Sequence, residues 1–290
     1  MSSRFNNFAY YLFKGVEGVV RATPFCKKFY IKAIGEMGYR LDRWRKKVVL
    51  TNLQLAFPHL TPQEREELAR QVYLNFARIL VEFIESKRFK APSQLERLVE
   101  LDNLEELKEV GKEQAIFVTA HFGNWELIPL VLGGFVTPLT IVARELENPH
   151  LNREIVEHRQ KFGVEVVYKK GAIAKLVRRL REGRSIGLLP DQNTAKWEGV
   201  ETRWFGKRVL QTPSPVQLAL RFKLPIVVLF SEPTPSGKWK IVIRDRFRPD
   251  SVEEGVNRLA KVMEEEISRF PAHYFWFHKR FKHFYEEAYR

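Results

Sequence analysis

Cysteine is almost absent: Cys26 is the single one in 290 residues. One thiol excludes an intramolecular disulfide framework and any cysteine-based zinc or iron–sulfur site, and it suits a reducing compartment, most simply the cytosol. Long apolar runs are also missing. The longest stretch without a charge is Leu127 to Ala143, seventeen residues broken by Pro129, Gly133, Gly134 and Pro138, whereas a membrane span needs about 20. It reads instead as a helix, a turn and a strand. Lys14, Glu17 and Arg21 interrupt the first apolar stretch, which argues against a secretory signal. There is no internal repeat, no low-complexity tract and no Gly-rich phosphate loop. His273 and His278 lie five apart without the glutamate that a zincin pair needs, and no metal is expected. Gly183-Arg184-Ser185-Ile186-Gly187 matches the hydrolase elbow Gly-x-Ser-x-Gly in letters only. Here a helix ends before Ser185 and a strand begins after it, the reverse of the order an elbow requires.

What the chain does have is apolar bulk and positive charge. Aliphatic and aromatic residues make up 44%, enough for a sizeable core, and the net charge is +14 with a pI near 9.8. That balance favours an anionic partner: nucleic acid, an anionic membrane surface or an acidic substrate. More than half of it sits at the front, where residues 1–50 hold eleven Lys or Arg against Glu17, Glu36 and Asp42. Phe5, Phe8, Tyr10, Tyr11, Leu12 and Phe13 crowd into the same region. Aromatic and basic residues mixed on a helix suit a segment lying in the plane of lipid headgroups; packing on the domain with a solvated basic face is the alternative. As an attachment device, residues 1–30 are expected to be dispensable for chemistry.

The pattern divides into a helical front and an alternating remainder. Thr61-Pro62-Gln63-Glu64 is a helix start with Thr61 as N-cap, and Leu68, Val72, Phe76, Ile79, Leu80 and Phe83 follow as one core-facing stripe. Residues 86–113 read as more helix. From about residue 114, strand-length apolar runs appear at Ala115–Thr119, Leu139–Ala143, Val164–Tyr168, Ile186–Leu189 and Ile226–Phe230. Helical stretches fall between most of them, at Asn124–Leu132, Asn148–Lys161, Ala172–Arg181 and Pro215–Phe222, and Ser251–Phe270 closes the chain. Lys238–Arg244 alternates as an edge strand would. The expected class is α/β, a mostly parallel central sheet flanked by helices and preceded by a helical N-terminal region. We divide it into a basic, aromatic segment (1–40) and one domain (41–290) with a helical front (41–113) and a sheet core (114–290).

Ligands of an open parallel sheet sit beyond the carboxyl ends of its strands. Two such ends carry polar clusters: His121-Phe122-Gly123-Asn124-Trp125-Glu126 and Pro190-Asp191-Gln192-Asn193. His121 leaves a strand, Gly123 permits an irregular backbone, and Asn124 can begin the next helix. One turn could then bring Glu126 to His121, fixing the tautomer and leaving the other ring nitrogen to take a proton. A histidine after a strand is also often only a polar cap.

His-x4-Glu at 121–126 resembles the His-x4-Asp/Glu signature of glycerolipid-type acyltransferases, and the whole hexapeptide is similar to that of the bacterial lipid A biosynthesis (late, lauroyl/myristoyl-type) acyltransferases. Further blocks fall in the family's order over about residues 40–285: Asn52-Leu53 with Ala56-Phe57-Pro58, Arg144 before Asn148-Pro149, Arg159 before Gly163, Pro190-Asp191-Gln192, Phe205-Gly206-Lys207 and Trp276–Phe281. Gln192-Asn193 depart from it, standing where many relatives carry a second acidic residue. The resemblance implies transfer of an acyl chain from a thioester of acyl carrier protein or coenzyme A to a hydroxyl of a lipid A precursor, without cofactor or metal, at the cytoplasmic face of the inner membrane by a peripheral or monotopic protein. It implies His121 as base with Glu126 as its partner, and Arg159 and Arg144 as anion-binding or charge-stabilising groups. Asp191 would orient Arg159 or close the site, and Asn124 with the Gly123 amide could receive an oxyanion. Another phosphoglycolipid or a lysophospholipid is the alternative acceptor. A non-catalytic basic membrane- or nucleic-acid-binding module is the alternative class, but binding alone needs no base and carboxylate at a strand end, so no nucleic acid is expected.

Overall fold

The computed structural model describes residues 3–290, with side chains from Tyr10 onward, so Phe5 and Phe8 of the aromatic cluster lie outside the described side chains. Four helices form the front: α1 (Ser3–Ala22), α2 (Lys27–Leu41), α3 (Arg43–Ala56) and α4 (Pro62–Ser86). The start of α4 is a capping box. Glu64 donates its amide to the Thr61 hydroxyl at 3.2 Å, and the Thr61 amide donates to the Glu64 carboxylate at 2.7 Å. Two of the helix's otherwise unpaired N-terminal amides are thereby satisfied. Val72, Ile79 and Phe83 of the α4 stripe are buried as expected, whereas Phe76 remains 40% exposed.

After α4 the chain forms the two-residue strand β1 (Val99–Glu100) and α5 (Leu104–Gly111), where the sequence reads as continuous helix. The α/β part then runs β2 (Ile116–Val118), α6 (Leu127–Val131), β3 (Leu139–Ala143), α7 (Pro149–Arg159), β4 (Val164–Tyr168), α8 (Ala172–Arg181) and β5 (Ser185–Leu188). A hairpin of β6 (Val200–Trp204) and β7 (Lys207–Gln211) follows, then α9 (Ser214–Phe222), β8 (Ile226–Pro233), β9 (Trp239–Phe247) and α10 (Val252–Arg269). The main sheet has seven strands in the order β1-β9-β8-β2-β5-β3-β4, and only the β8–β9 pair is antiparallel. The architecture is thus mixed α/β with a mostly parallel sheet between helices. β9, expected at an edge, lies one strand inside it because β1 pairs beyond it.

The β6–β7 hairpin has no counterpart in the sequence reading. Its turn is Phe205-Gly206, both at positive φ (50° and 70°). Two-residue hairpin turns favour such angles but rarely place phenylalanine there. Phe205 is held by Phe57 and Trp276, with ring centroids 5.0 and 6.0 Å away. The main core joins α3 and α4 to one face of the sheet without a break: Val49, Leu53 and Val72 pack in the same cluster as Ile116, Val228 and Met263. A second cluster fills the other face under α5 and α6. The Trp276–Phe281 block packs inward. Trp276 and Phe281 are fully buried, and Arg280 lies over the Trp204 ring and donates to the Leu210 carbonyl.

Candidate active site

β2 and β5 are parallel neighbours in the middle of the sheet, so the residues leaving their carboxyl ends meet. His121 leaves β2 and Asp191 leaves β5. The His121 imidazole donates from Nδ1 to the Asp191 carboxylate, with distances of 2.8 and 3.1 Å to its two oxygens, and the His121 amide donates to the same group at 3.1 Å. Asp191 is fully buried. Burial by itself would raise its pKa, but the His121 charge and hydrogen bonds prevail and hold it below the usual carboxylate value. The pairing fixes the Nδ1–H tautomer and leaves Nε2 free to accept a proton. Gln192 follows directly, with its side-chain nitrogen 3.5 Å from that Nε2.

Glu126 stands elsewhere, which corrects the expected pairing. No hydrogen bond joins it to His121 among the described residues. Its carboxylate forms a two-pronged pair with Arg159, the last residue of α7 (Nε to Oε2, 2.8 Å), and accepts from Trp125 Nε1 at 3.1 Å. Burial would raise its pKa, yet the adjacent guanidinium overrides this and brings it down to about 2. The expected partners are therefore exchanged: Asp191 takes the histidine and Glu126 takes the arginine. The chain between them explains why. Gly123 has φ +56°, and a Cβ there would lie 1.7 Å from the Ser231 carbonyl oxygen, so only glycine fits. The backbone swings away at that point and carries Glu126 to the start of α6.

The two oxyanion donors suggested by the sequence are also engaged elsewhere. The Gly123 amide donates to the His273 carbonyl at 2.9 Å. Asn124 is buried and donates to Glu82 at 2.9 Å, and Glu82 also accepts from Trp239 and Arg78. These residues hold the loop after β2 in place. Arg144 is exposed at the end of β3, where it lines the same cleft as Arg159. Ser185 is fully buried at the opposite, amino-terminal end of β5, accepting the Ala115 amide, and is remote from His121. His273 and His278 are both pushed down to about 4 by burial, and among the described residues no group of three ligating side chains could hold a metal.

A cavity of about 370 Å³ starts at His121 and runs along the sheet beneath α6. Phe117, Ile128, Leu132, Ile141 and Leu229 form its apolar depth, while His121, Arg144, Arg159 and Gln192 stand at its polar end. Sequence reasoning did not single out Trp125 or Phe275. Their rings lie 5.3 and 6.0 Å from that of His121 and 5.8 Å from each other. Trp125 belongs to the hexapeptide, where its ring chemistry could have drawn notice. Phe275 could not be read locally, since it arrives when residues 273–275 bond back to 121–123.

The arrangement is a base oriented by a buried carboxylate at the mouth of an apolar cleft, its second ring nitrogen facing the Gln192 amide. The family model for bacterial lipid A biosynthesis acyltransferases matches residues 2–283. Similar proteins include a lipid A biosynthesis acyltransferase of Haemophilus influenzae, 24% identical over 84% of this chain and 79% of that one. The lipid A biosynthesis lauroyltransferase of Escherichia coli is also 24% identical, over 86% and 83%. The phosphatidylinositol mannoside acyltransferase of Mycolicibacterium smegmatis is 28% identical over 42% and 41%. The chain belongs to the bacterial lipid A biosynthesis acyltransferase family.

Proposed function

We propose that this acyltransferase moves a fatty acyl chain from a thioester, carried by acyl carrier protein or coenzyme A, to a hydroxyl of a lipid A precursor at a membrane surface. The observation that carries the reading is the His121–Asp191 pair at the mouth of the apolar cavity. The acceptor hydroxyl gives its proton to His121 Nε2 as its oxygen attacks the thioester carbonyl. Asp191 stabilises the imidazolium so formed. When the tetrahedral intermediate collapses, the C–S bond breaks and the departing thiolate recovers the proton from Nε2. Gln192 stands beside the base to donate to the developing oxyanion, and Arg144 attracts an anionic group of either substrate. Glu126 contributes by holding Arg159 at the cleft wall. The donor chain lies in the apolar depth beneath α6.

The acceptor class is tested by incubating the purified protein with a lipid A precursor and dodecanoyl acyl carrier protein, or dodecanoyl coenzyme A, and analysing the lipids by mass spectrometry. A mass gain of one acyl group on the precursor is expected. If only a mannosylated or other phosphoglycolipid gains the chain, the acceptor is reassigned. The relative acting on phosphatidylinositol mannosides makes that the second reading.

Membrane attachment is proposed through the helical front. No helix among the described residues is long and apolar enough to cross a membrane. Tyr11, Leu12, Val19, Phe25, Phe29, Met37, Leu41 and Trp44 are nevertheless all more than half exposed, and Lys28, Lys32, Arg40 and Arg43 lie among them. Such a face gains apolar burial in the headgroup region plus about 1 kcal/mol for each basic residue near an anionic surface. Two sets of substitutions separate these contributions. Lys28→Gln with Lys32→Gln weakens binding to phosphatidylglycerol vesicles mainly at low salt, because surface attraction is screened over about 8 Å at physiological ionic strength. Phe25→Ser with Phe29→Ser weakens it at every salt concentration. Unchanged vesicle sedimentation in both would make the front ordinary packing.

A further inference from the structure

A second cavity, of about 270 Å³, lies on the other side of Trp125 and Glu126. These two residues line both cavities and so form a shared wall. Phe76, Leu80 and Phe83 of α4 and Leu151 of α7 make up much of the rest, with Phe13 of α1 across from them. The cavity is open on one side and its walls are almost wholly apolar, and covering such a surface with a hydrocarbon chain removes apolar area from water. The polar side chains on its wall, Glu126 and Glu154, are already engaged, the first by Arg159 and the second by Lys87 and Lys14. Nothing there selects a polar ligand. Phe76, exposed on a face where a core residue is expected, lies at the rim.

We infer that this cavity holds a hydrocarbon chain that the acceptor lipid already carries, so that α1 is a wall of the acceptor site as well as an attachment device. The inference rests on the proposed acceptor being a lipid. Two observations select the acceptor over the donor. The cavity beneath α6 opens directly at His121, where the thioester carbonyl must sit, whereas this one is separated from it by Trp125. An aromatic path then links the second cavity to the base: the Phe76 ring lies 5.5 Å from Phe275, and Phe275 lies 6.0 Å from His121. A lipid anchored by its tail behind Trp125 would lay its headgroup along this path and bring a hydroxyl to Nε2. The remaining wall is fastened to the body. Glu17 of α1 is buried and paired with Lys87 next to α4, and Lys87 also holds Glu154 of α7. The same helix exposes Leu12 and Val19, so it can touch the bilayer while Phe13 closes the cavity. Removing residues 1–30 should then impair chemistry on a lipid acceptor, contrary to the expectation from charge alone.

The first test needs no turnover. The wild-type protein is mixed with phosphatidylglycerol vesicles containing a lysophosphatidylglycerol whose chain ends in a photoreactive diazirine, irradiated, and digested for peptide mass spectrometry. Labels on α4 and α7 are expected; labels confined to α6 and β3 overturn the inference, whether or not acyl transfer is ever observed. The second test fills the cavity with Leu80→Trp or, in parallel, Leu151→Phe. Acceptors with the same headgroup and either tetradecanoyl or butanoyl chains are compared. The ratio of kcat/KM for the long-chain over the short-chain acceptor should fall at least tenfold, chiefly through KM for the long chain. An equal fall for both acceptors, or no fall for either, counts against the tail site.

Discussion

Replacing Asp191 by asparagine should lower single-turnover acyl transfer by about 10²–10⁴-fold, the range supplied by a positioned general base. The amide oxygen of asparagine can still accept one hydrogen bond, so the loop after β2 need not collapse. What it lacks is charge. An imidazolium forms on His121 during attack, and the buried carboxylate 2.8 Å from Nδ1 is the group placed to stabilise it. Asparagine can also present its amino group to Nδ1, which would place the ring proton on Nε2 and block the base. His121→Ala should cause a loss of similar size, and the double variant should be no more than a few-fold slower than the worse single one, because the two residues act as a unit. Unaltered circular dichroism would separate this loss from unfolding. A near wild-type rate for folded Asp191→Asn would reduce the pair to a structural hydrogen bond.

Much of the frame is legible in the amino-acid pattern. The strands at Leu139–Ala143 and Val164–Tyr168 and the helix at Ala172–Arg181 have the limits their apolar periodicity suggests, because each buries a face that period alone defines. The same rule places both polar clusters at carboxyl strand ends. Hidden from it is which cluster member meets which. Sequence spacing favours His121 with Glu126, because only five positions separate them. Strand adjacency favours Asp191, seventy residues away, and the forced φ of Gly123 settles the matter by turning Glu126 toward Arg159. Gly123 and Asn124 mislead for a related reason, in that both hydrogen-bond to distant segments, one at His273 and the other at Glu82. The hairpin at 200–211 is short, with Glu201 and Arg203 alternating against Thr202 and Trp204 over only five residues, and its Phe-Gly turn depends on ring packing from residues 57 and 276.

Breaking the other pair should cost stability as well as rate. Glu126→Ala leaves the Arg159 guanidinium only 23% exposed and without its partner. Removing one member of a buried ion pair typically costs about 3–5 kcal/mol, and the residual exposure of Arg159 puts this site at the lower end. Urea unfolding at neutral pH measures the loss directly. Replacing both residues, with Arg159→Met beside Glu126→Gln, should restore much of the stability because no isolated charge remains, while activity stays low through the altered cleft wall. The pH dependence supplies a second signature. The Glu126 carboxyl falls from an ordinary value of 4.5 to about 2 in the folded protein. Its contribution is therefore complete above about pH 4.5 and lost as the pH falls through the folded-state value. The stability gap between wild type and Glu126→Gln should narrow across that window and stay constant above it. A gap that does not change between pH 5 and pH 3 would mean that the Arg159 pair does not hold the carboxylate as described. In that case the stability difference would have to come from packing around Trp125, whose indole donates to the same carboxylate.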